Sequence, residues 1–319
     1  MWQYIFRRIF ISFPILIGVT IVIFALIHFA PGDPVTGMID PINGNMDSKS
    51  IQLERERLGL DKPVPVQYFY WISRVAKGDL GYSLINGKPV AEMIGDRFWS
   101  TVRLTVLSLL VSVIFGITIG IISAIKQYSI IDYSFTFLSF AAVSVPGFFM
   151  ALGMIFLFAL KLGWLPTSGM LTLGDEVTLW DQVKHLIMPV SVLGIGSAAP
   201  ITRYARSSML EVLNLDYINV ARSKGMREYK VILRHAFPNA LIPLLTVIGL
   251  RVPFLFGGSV IIEQIFHWYG MGSLNIWAVM NQDYTTLMGL NLISAILVLL
   301  SNLIVDISYA FVDPRIQYN

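Results

Sequence analysis

The segment Asp216–Pro243, DYINVARSKGMREYKVILRHAFPNALIP, decides how this chain is read. It is basic, helix-forming on both sides of a single glycine, Gly225, and lies between two apolar stretches. Its composition predicts two short helices, Glu211–Tyr217 and Val220–Leu233, meeting at a bend. Glycine suits a bend because it takes positive φ at no steric cost. Ile218, Val220, Met226, Val231, Ile232 and Leu233 form no single long stripe, as expected of two helices rather than one. Charge alone leaves two uses open: an amphipathic helix lying on anionic lipid, or a helix inserted into a groove on a partner.

Outward from this segment the chain reads as membrane. Of 319 residues, 55% are hydrophobic and only 13% charged, with mean hydropathy +0.68. A soluble domain carries about 25% charged residues. Six runs are long enough to cross about 30 Å of hydrocarbon. They are Ile9–Ala30, Leu104–Ile125, Tyr133–Leu160, His185–Thr202, Phe237–Ile262 and Tyr284–Val305, and only the fifth is interrupted by a charge, Arg251. The expected fold class is therefore an all-α polytopic membrane protein with six transmembrane helices. The first run is long, holds Pro14 and Gly18, and leads into PGDP without a small-x-small site, so it reads as a span rather than a cleaved signal.

Orientation follows from basic residues in short loops. Arg7 and Arg8 precede the first span, and Arg315 follows the last. The loop from Arg203 to Arg234 also carries Arg206, Arg222, Lys224, Arg227 and Lys230, whereas the loop after span five has no Lys or Arg. Both termini and the basic loop are thus expected in the cytoplasm. This divides the chain into 1–30 (cytoplasmic N-terminus and first span), 31–100 (an extracytoplasmic cap) and 101–319 (a core with its cytoplasmic loop at 203–237).

The cap segment is too long for a simple turn. Asp47 or Ser48 is placed to cap a helix through Leu58, with Gly59 past its end, and Pro63 and Pro65 open a second amphipathic stretch. Its aromatics, Tyr68, Phe69, Tyr70 and Trp71, suit either an interfacial belt or a contact for a partner protein. Span four, MPVSVLGIGSAAPITRYARSS, is rich in small residues. That permits close packing, and Pro189 and Pro200 are expected to kink the helix, which also suits a flexing wall of a path.

Several chemistries have no foothold. There is no cysteine, no P-loop, no H-E-x-x-H and no G-x-S-x-G, and His28, His185, His235 and His267 are scattered, so no metal site and no catalytic residues are expected. Asp306 lies too near the inner end of span six to suit ion coupling, and no repeat supports an inverted-repeat carrier. Arg251 suits either a cation in a polar cavity or a structural pair with an acid.

The basic segment resembles the cytoplasmic motif of permease subunits of ATP-binding-cassette (ABC) importers, generically E-A-A-x-x-x-G-x(9)-I-x-L-P. Asn219, Val220 and Ala221 stand at the E-A-A positions, Gly225 at the glycine, and His235, Phe237 and Pro238 at I, L and P. The departures match the peptide/nickel (DppB/OppB-like) subfamily. The resemblance runs through MWQYIFRRIF, APGDP at Ala30–Pro34, LGLDKPVPVQY, GDLGYS at Gly78–Ser83, TRYARSSMLEVLNLDYI, FGGSVIIEQIF at Phe256–Phe266 and VDPRI at Val312–Ile316. Tyr269 departs, where the family often has Pro.

The resemblance implies a type I ABC importer permease fold and a B-type subunit of a binding-protein-dependent importer in a bacterial or archaeal cytoplasmic membrane. It implies pairing with a second, C-type permease, two ABC ATPase subunits below and an extracytoplasmic solute-binding protein above, all in membrane lipid and without nucleic acid. No cofactor is bound directly, since ATP and Mg belong to the ATPases. The ATPase-coupling residues carried over are Glu211, Asp216, Tyr217, Ala221, Arg222, Ser223, Lys224, Gly225, Met226 and Pro238. Arg203 and Arg206 are expected to anchor the end of span four, and Pro238 to restart span five. Arg251, Pro200 and Ser197 are candidates for the translocation path. Trp71, Tyr82, Glu263 and Trp268 are candidates for the face towards the binding protein, near Gly257–Gly272. Di- or oligopeptides are the expected substrate, because few His, no Cys and no clustered acids argue against a nickel site. Nickel, glutathione or another small solute is the alternative within the class, and an ion-coupled carrier, a channel or a membrane enzyme lies outside it.

Overall fold

The computed structural model describes residues 2–29, 52, 61–172, 174 and 178–312. The Ala30–Pro34 motif, the helix expected after Asp47 or Ser48, and residues 313–316 of the terminal motif lie outside them. The described residues hold helices and no strand beyond one isolated bridge, Tyr82 to Pro89. We label the helices α1 (Trp2–His28), α2 (Val64–Val75), α3 (Val90–Ile125), α4 (Ile130–Ser144), α5 (Gly147–Met154), α6 (Leu179–Leu213), α7 (Asp216–Ser223), α8 (Glu228–Lys230), α9 (Phe237–Ile265), α10 (Met271–Met280) and α11 (Tyr284–Val312). Among the described residues, four spans are long and apolar enough to cross a membrane: Phe6–His28, Val90–Ile125, Leu179–Leu213 and Tyr284–Ser308. Two bent pairs, Ile130–Ser144 with Gly147–Lys161 and Glu228–Leu241 with Pro243–Gly257, make six if each counts as one span.

The elements differ from the sequence reading at one break and at several helix ends. The run Tyr133–Leu160 is not one helix. It breaks by 103° between Ser144 and Gly147. Val145 is extended, as the clash with the following Pro146 demands, and Pro146 starts the next helix. α3 begins at Val90 rather than Leu104, so its charged first turns belong to the same helix as its apolar run. α6 extends both ways beyond His185–Thr202, capped by the Thr178 hydroxyl accepting from the Asp181 amide at 3.1 Å. It runs on through Pro189 and Pro200, so neither proline ends it, and it continues seven residues past Arg206 to Leu213, so Arg206 does not mark its end.

The chain forms two compact units: 1–6, 101–269 and 300–319 in one, 7–100 and 270–299 in the other. In the first, α6 is the central helix. Its apolar window is 72% buried. Glycines of α3 let it come close. A Cβ on Gly120 would lie 2.4 Å from the Ala205 Cβ and 2.8 Å from the Thr202 carbonyl oxygen, and one on Gly116 2.8 Å from Ile201. In lipid, where apolarity alone gives no pairing force, such close approach is what binds helices. The core has two parts. One gathers Leu104, Met188, Leu193, Leu255, Ile262, Phe266 and Trp268. The other gathers Ala124, Met209, Val212, Ile218, Ala221, Val231, Ile232, Ala236 and Ala240.

In the second unit, Val90, Met93 and Ile94 pack on Met271, Leu274 and Leu290. The GDLGYS motif is tied down by buried Asp283, whose carboxylate accepts from the Ser83 hydroxyl, the Leu84 amide and both Thr286 donors. Asp79 accepts from the Arg74 guanidinium and the Gly81 amide, both at 2.8 Å, and the Arg74 bond holds its carboxyl below the usual aspartate value. α2 starts where the prolines predict, with Pro63 as its N-cap. There Tyr68 bonds Thr20 at 2.9 Å, and Tyr68 and Trp71 lie against Phe24.

Candidate functional site

The bend at Gly225 is real, but the two helices around it are shifted from their predicted bounds. Glu211 belongs to the last turn of α6, and α7 spans Asp216–Ser223, entirely before the glycine. Leu215 is extended, which ends α6 and starts α7 afresh. The second helix begins at Glu228, not Val220, because Arg227 is extended, and it passes through wide π-type turns at Val231–Ala236 into α9. Pro238 does not restart the helix: the chain is helical from Glu228 to Leu241 with wide π-type turns just before Pro238, and the 56° bend falls between Leu241 and Pro243.

Gly225 has φ +73°, and the chain around it closes α7 with a Schellman motif. The Gly225 amide donates to the Arg222 carbonyl at 2.9 Å and the Met226 amide to the Ala221 carbonyl at 3.4 Å. Met226 packs inward against the same cluster as Ala221, supplying the apolar contact that accompanies this cap. Arg222 reaches over the turn to Glu228, with Nη2 to Oε1 at 2.7 Å and Nε to Oε2 at 3.3 Å, and this bonding raises the guanidinium pKa above its already high value. Both groups are exposed, so the pair contributes geometry more than stability.

α7 has two distinct faces. Ile218 and Ala221, three residues apart, are buried against the ends of α3 and α6 and the start of α9. Asp216, Tyr217, Asn219, Val220, Arg222, Ser223 and Lys224 are exposed, with Val220 at 53% and, beyond the turn, Tyr229 at 54% and Leu233 at 59%. The exposed face thus mixes large apolar side chains with basic ones. Tyr217 pins α7 to α9: its hydroxyl donates to the His235 carbonyl at 3.4 Å and accepts from Asn239 Nδ2 at 3.0 Å.

One group that the sequence reading passed over completes the arrangement. Arg206 forks onto Asp132 of α4, Nε to Oδ1 and Nη2 to Oδ2 both at 2.7 Å, and Asp132 is only 2% exposed. Asp132 also accepts from the Tyr128 amide, and its own amide donates to Ser129, the N-cap of α4. The Ser-x-x-Asp spacing is a helix-start signal that marks this position in the sequence. The turn is thus fastened to α3 and α9 by apolar packing, and α6, which leads into it, is fastened to α4 by a buried ion pair.

The other candidate residues separate. Trp71 is half-buried in the second unit, and Tyr82 is 60% exposed. Glu263 and Trp268 are buried, which removes both from an outward-facing surface. Glu263 accepts from the Thr101 hydroxyl at 2.7 Å, and its carbonyl accepts from the Trp268 amide where the chain turns back at His267. A buried carboxylate at an apolar helix end needs such partners to offset its desolvation. Ser197 and Pro200 are enclosed within their own unit, which assigns them to packing and not to an open wall. Arg251 is half-buried, stacks 5.7 Å from the Phe254 ring, and forms no ion pair with a described acid. Among the described residues no cluster suited to a metal ion occurs.

Two family descriptions match the chain: "Binding-protein-dependent transport system inner membrane component" over residues 116–318, and its N-terminal counterpart over residues 1–105. Curated relatives match along their whole length. The oligopeptide transport system permease protein AppB of Bacillus subtilis is 44% identical over 319 residues, covering all of both chains. The dipeptide transport system permease protein DppB of Alkalihalophilus pseudofirmus is 39% identical, and the glutathione transport system permease protein GsiC of Escherichia coli K12 36%, each also over all of both chains. Among solved structures, an inward-facing MetNI methionine ABC transporter chain superposes with TM-score 0.56 at 18% identity, over 69% of this chain and 96% of that one.

Proposed function

This chain belongs to the binding-protein-dependent transport system inner membrane component family, as a permease subunit of an ABC importer, and on that premise we propose its substrate, partners and coupling residues. It is a multi-pass inner-membrane transport subunit, not an enzyme, and its family works with ATPases and a solute-binding protein. The substrate proposed is a di- or oligopeptide, supported by the names of the AppB and DppB relatives. Glutathione, itself a small peptide, is the second reading, favoured by the GsiC relative. The chain pairs with a second, C-type permease, both termini lie in the cytoplasm, and ATP and Mg are held by the ATPase subunits alone.

The observation that carries the mechanism is the two-faced helix α7. Its exposed face, with Tyr217, Arg222, Ser223, Lys224 and the Gly225 turn, seats in an ATPase groove. Its buried face, Ile218 and Ala221, presses on the ends of α3, α6 and α9. ATPase closure displaces α7, and a packed core transmits that displacement because it does not deform continuously. Asp132–Arg206 carries the motion to α4.

The test is reconstitution of the whole transporter in proteoliposomes with its binding protein. Labelled di- and oligopeptides are expected to enter only with ATP and binding protein both present, while nickel does not. Nickel import without peptide import overturns the peptide reading.

A further inference from the structure

Arg251 is a cation with no counter-charge among the described residues. It lies in α9, within the bent membrane-spanning pair, and its Nε is buried with no hydrogen-bond partner among the described residues. A guanidinium in this environment is costly, and intramembrane cations persist where an anion or a polar path offsets them. Of the acids that the same unit carries on its membrane helices, Asp132 is engaged with Arg206 and Glu263 with Thr101, and Asp306 also has a partner. The charged group that acts on Arg251 is Arg203, on α6. Arg203 is a second cation, itself held over the Phe140 ring at 5.4 Å, so the neighbourhood adds positive potential instead of cancelling it.

We propose that Arg251, backed by Arg203, is the station at which the carboxylate of the imported solute is held inside the membrane. This rests on the peptide-importer reading above. The free edge of a guanidinium offers parallel N–H donors that match a carboxylate in geometry and charge. A peptide presents one such group whatever its side chains, at its C-terminus. A site reading the terminus alone suits a path that passes many sequences. The Phe254 ring lies 5.7 Å from the guanidinium carbon and covers one face of it. Arg203 raises the local potential and so favours the anion without needing to touch it.

The experiment uses the complete reconstituted transporter, with binding protein saturated by tetra-alanine or by its C-terminal amide. Wild type is expected to import the free acid about tenfold faster than the amide, the size of one charge-assisted hydrogen bond. Arg251→Gln is expected to bring that ratio towards one. Arg251→Lys, which keeps the charge and loses the fork, is expected to fall between. If the Gln variant assembles poorly, the same ratio is read from Arg251→Lys and from Arg203→Gln. A wild-type ratio of one, or a ratio unmoved by these substitutions while import continues, overturns the station but leaves the peptide reading standing. Absence of import of either peptide overturns both. Loss of assembly with the second permease in Arg251→Gln, restored in Arg251→Lys, assigns the missing carboxylate to the partner subunit and overturns the proposal.

Discussion

At the scale of the residue, Gly225 separates strain from charge. Its φ of +73° is costly for a side chain, yet a Cβ there meets nothing within 4 Å. Ala at this position is expected to cost about 1–2 kcal/mol of local backbone energy and no packing. Asn tolerates this conformation, so Gly225→Asn is expected to keep most substrate import. Gly225→Asp has the same shape but adds an anion to a helix C-terminus and to the basic docking face. It is expected to abolish import while the protein still inserts and assembles, as measured by co-purification with the ATPases and by uptake. Equal import by the Asn and Asp variants would show that charge at the turn has no role in docking. Ala221 is a different case, because it is 7% exposed within the core under the turn. Ala221→Glu buries an unpaired carboxylate, and the expected loss of several kcal/mol appears as a lower melting temperature in detergent as well as lost uptake.

Among the elements, the contact of α3 with α6 and the tie from α6 to α4 are the testable parts. A Cβ on Gly120 would meet backbone and Ala205, neither of which can swing aside. Gly120→Ala is expected to cost about 1–3 kcal/mol through overpacking. Gly196, on α6, has nothing within 4 Å of an added Cβ, so Gly196→Ala is the control expected to melt at the wild-type temperature or slightly above. Asp132 and Arg206 form a buried pair, so removing one partner strands the other. Asp132→Asn is expected to cost about 3 kcal/mol, at the low end for such pairs because Arg206 is 28% exposed. If the pair also carries motion, the assembled variant is expected to hydrolyse more ATP for each solute imported than wild type does. The exchange Asp132→Arg with Arg206→Asp restores that ratio in part. An unchanged ratio of ATP hydrolysed to solute imported would reduce the pair to a staple.

For the whole molecule, orientation is open to direct measurement because the chain has no cysteine. Lys224→Cys is expected to react with an impermeant thiol reagent only from the cytoplasmic side, and Tyr82→Cys only from outside, both being exposed positions. Reaction of both from one side would reverse or collapse the proposed topology. What was legible in the sequence followed from rules that act locally: apolar runs long enough for lipid, proline and glycine at chain reversals, basic residues in short loops, and the Ala221–Gly225–Pro238 spacing with its family resemblance. Those determined the all-α membrane fold, the family, and the place of the bend. Local rules were blind wherever two distant segments settle an outcome together. The break of Tyr133–Leu160 at Pro146 follows a local proline signal that the apolar run hid, whereas only the tertiary structure decided that Glu263 and Trp268 turn inward and that Asp132 belongs to Arg206, 74 residues away. The physical reason is that a side chain's burial and partners depend on which helix packs against it, and in lipid that choice is made by close-fitting glycines and paired charges rather than by hydrophobicity, which every face of these helices shares.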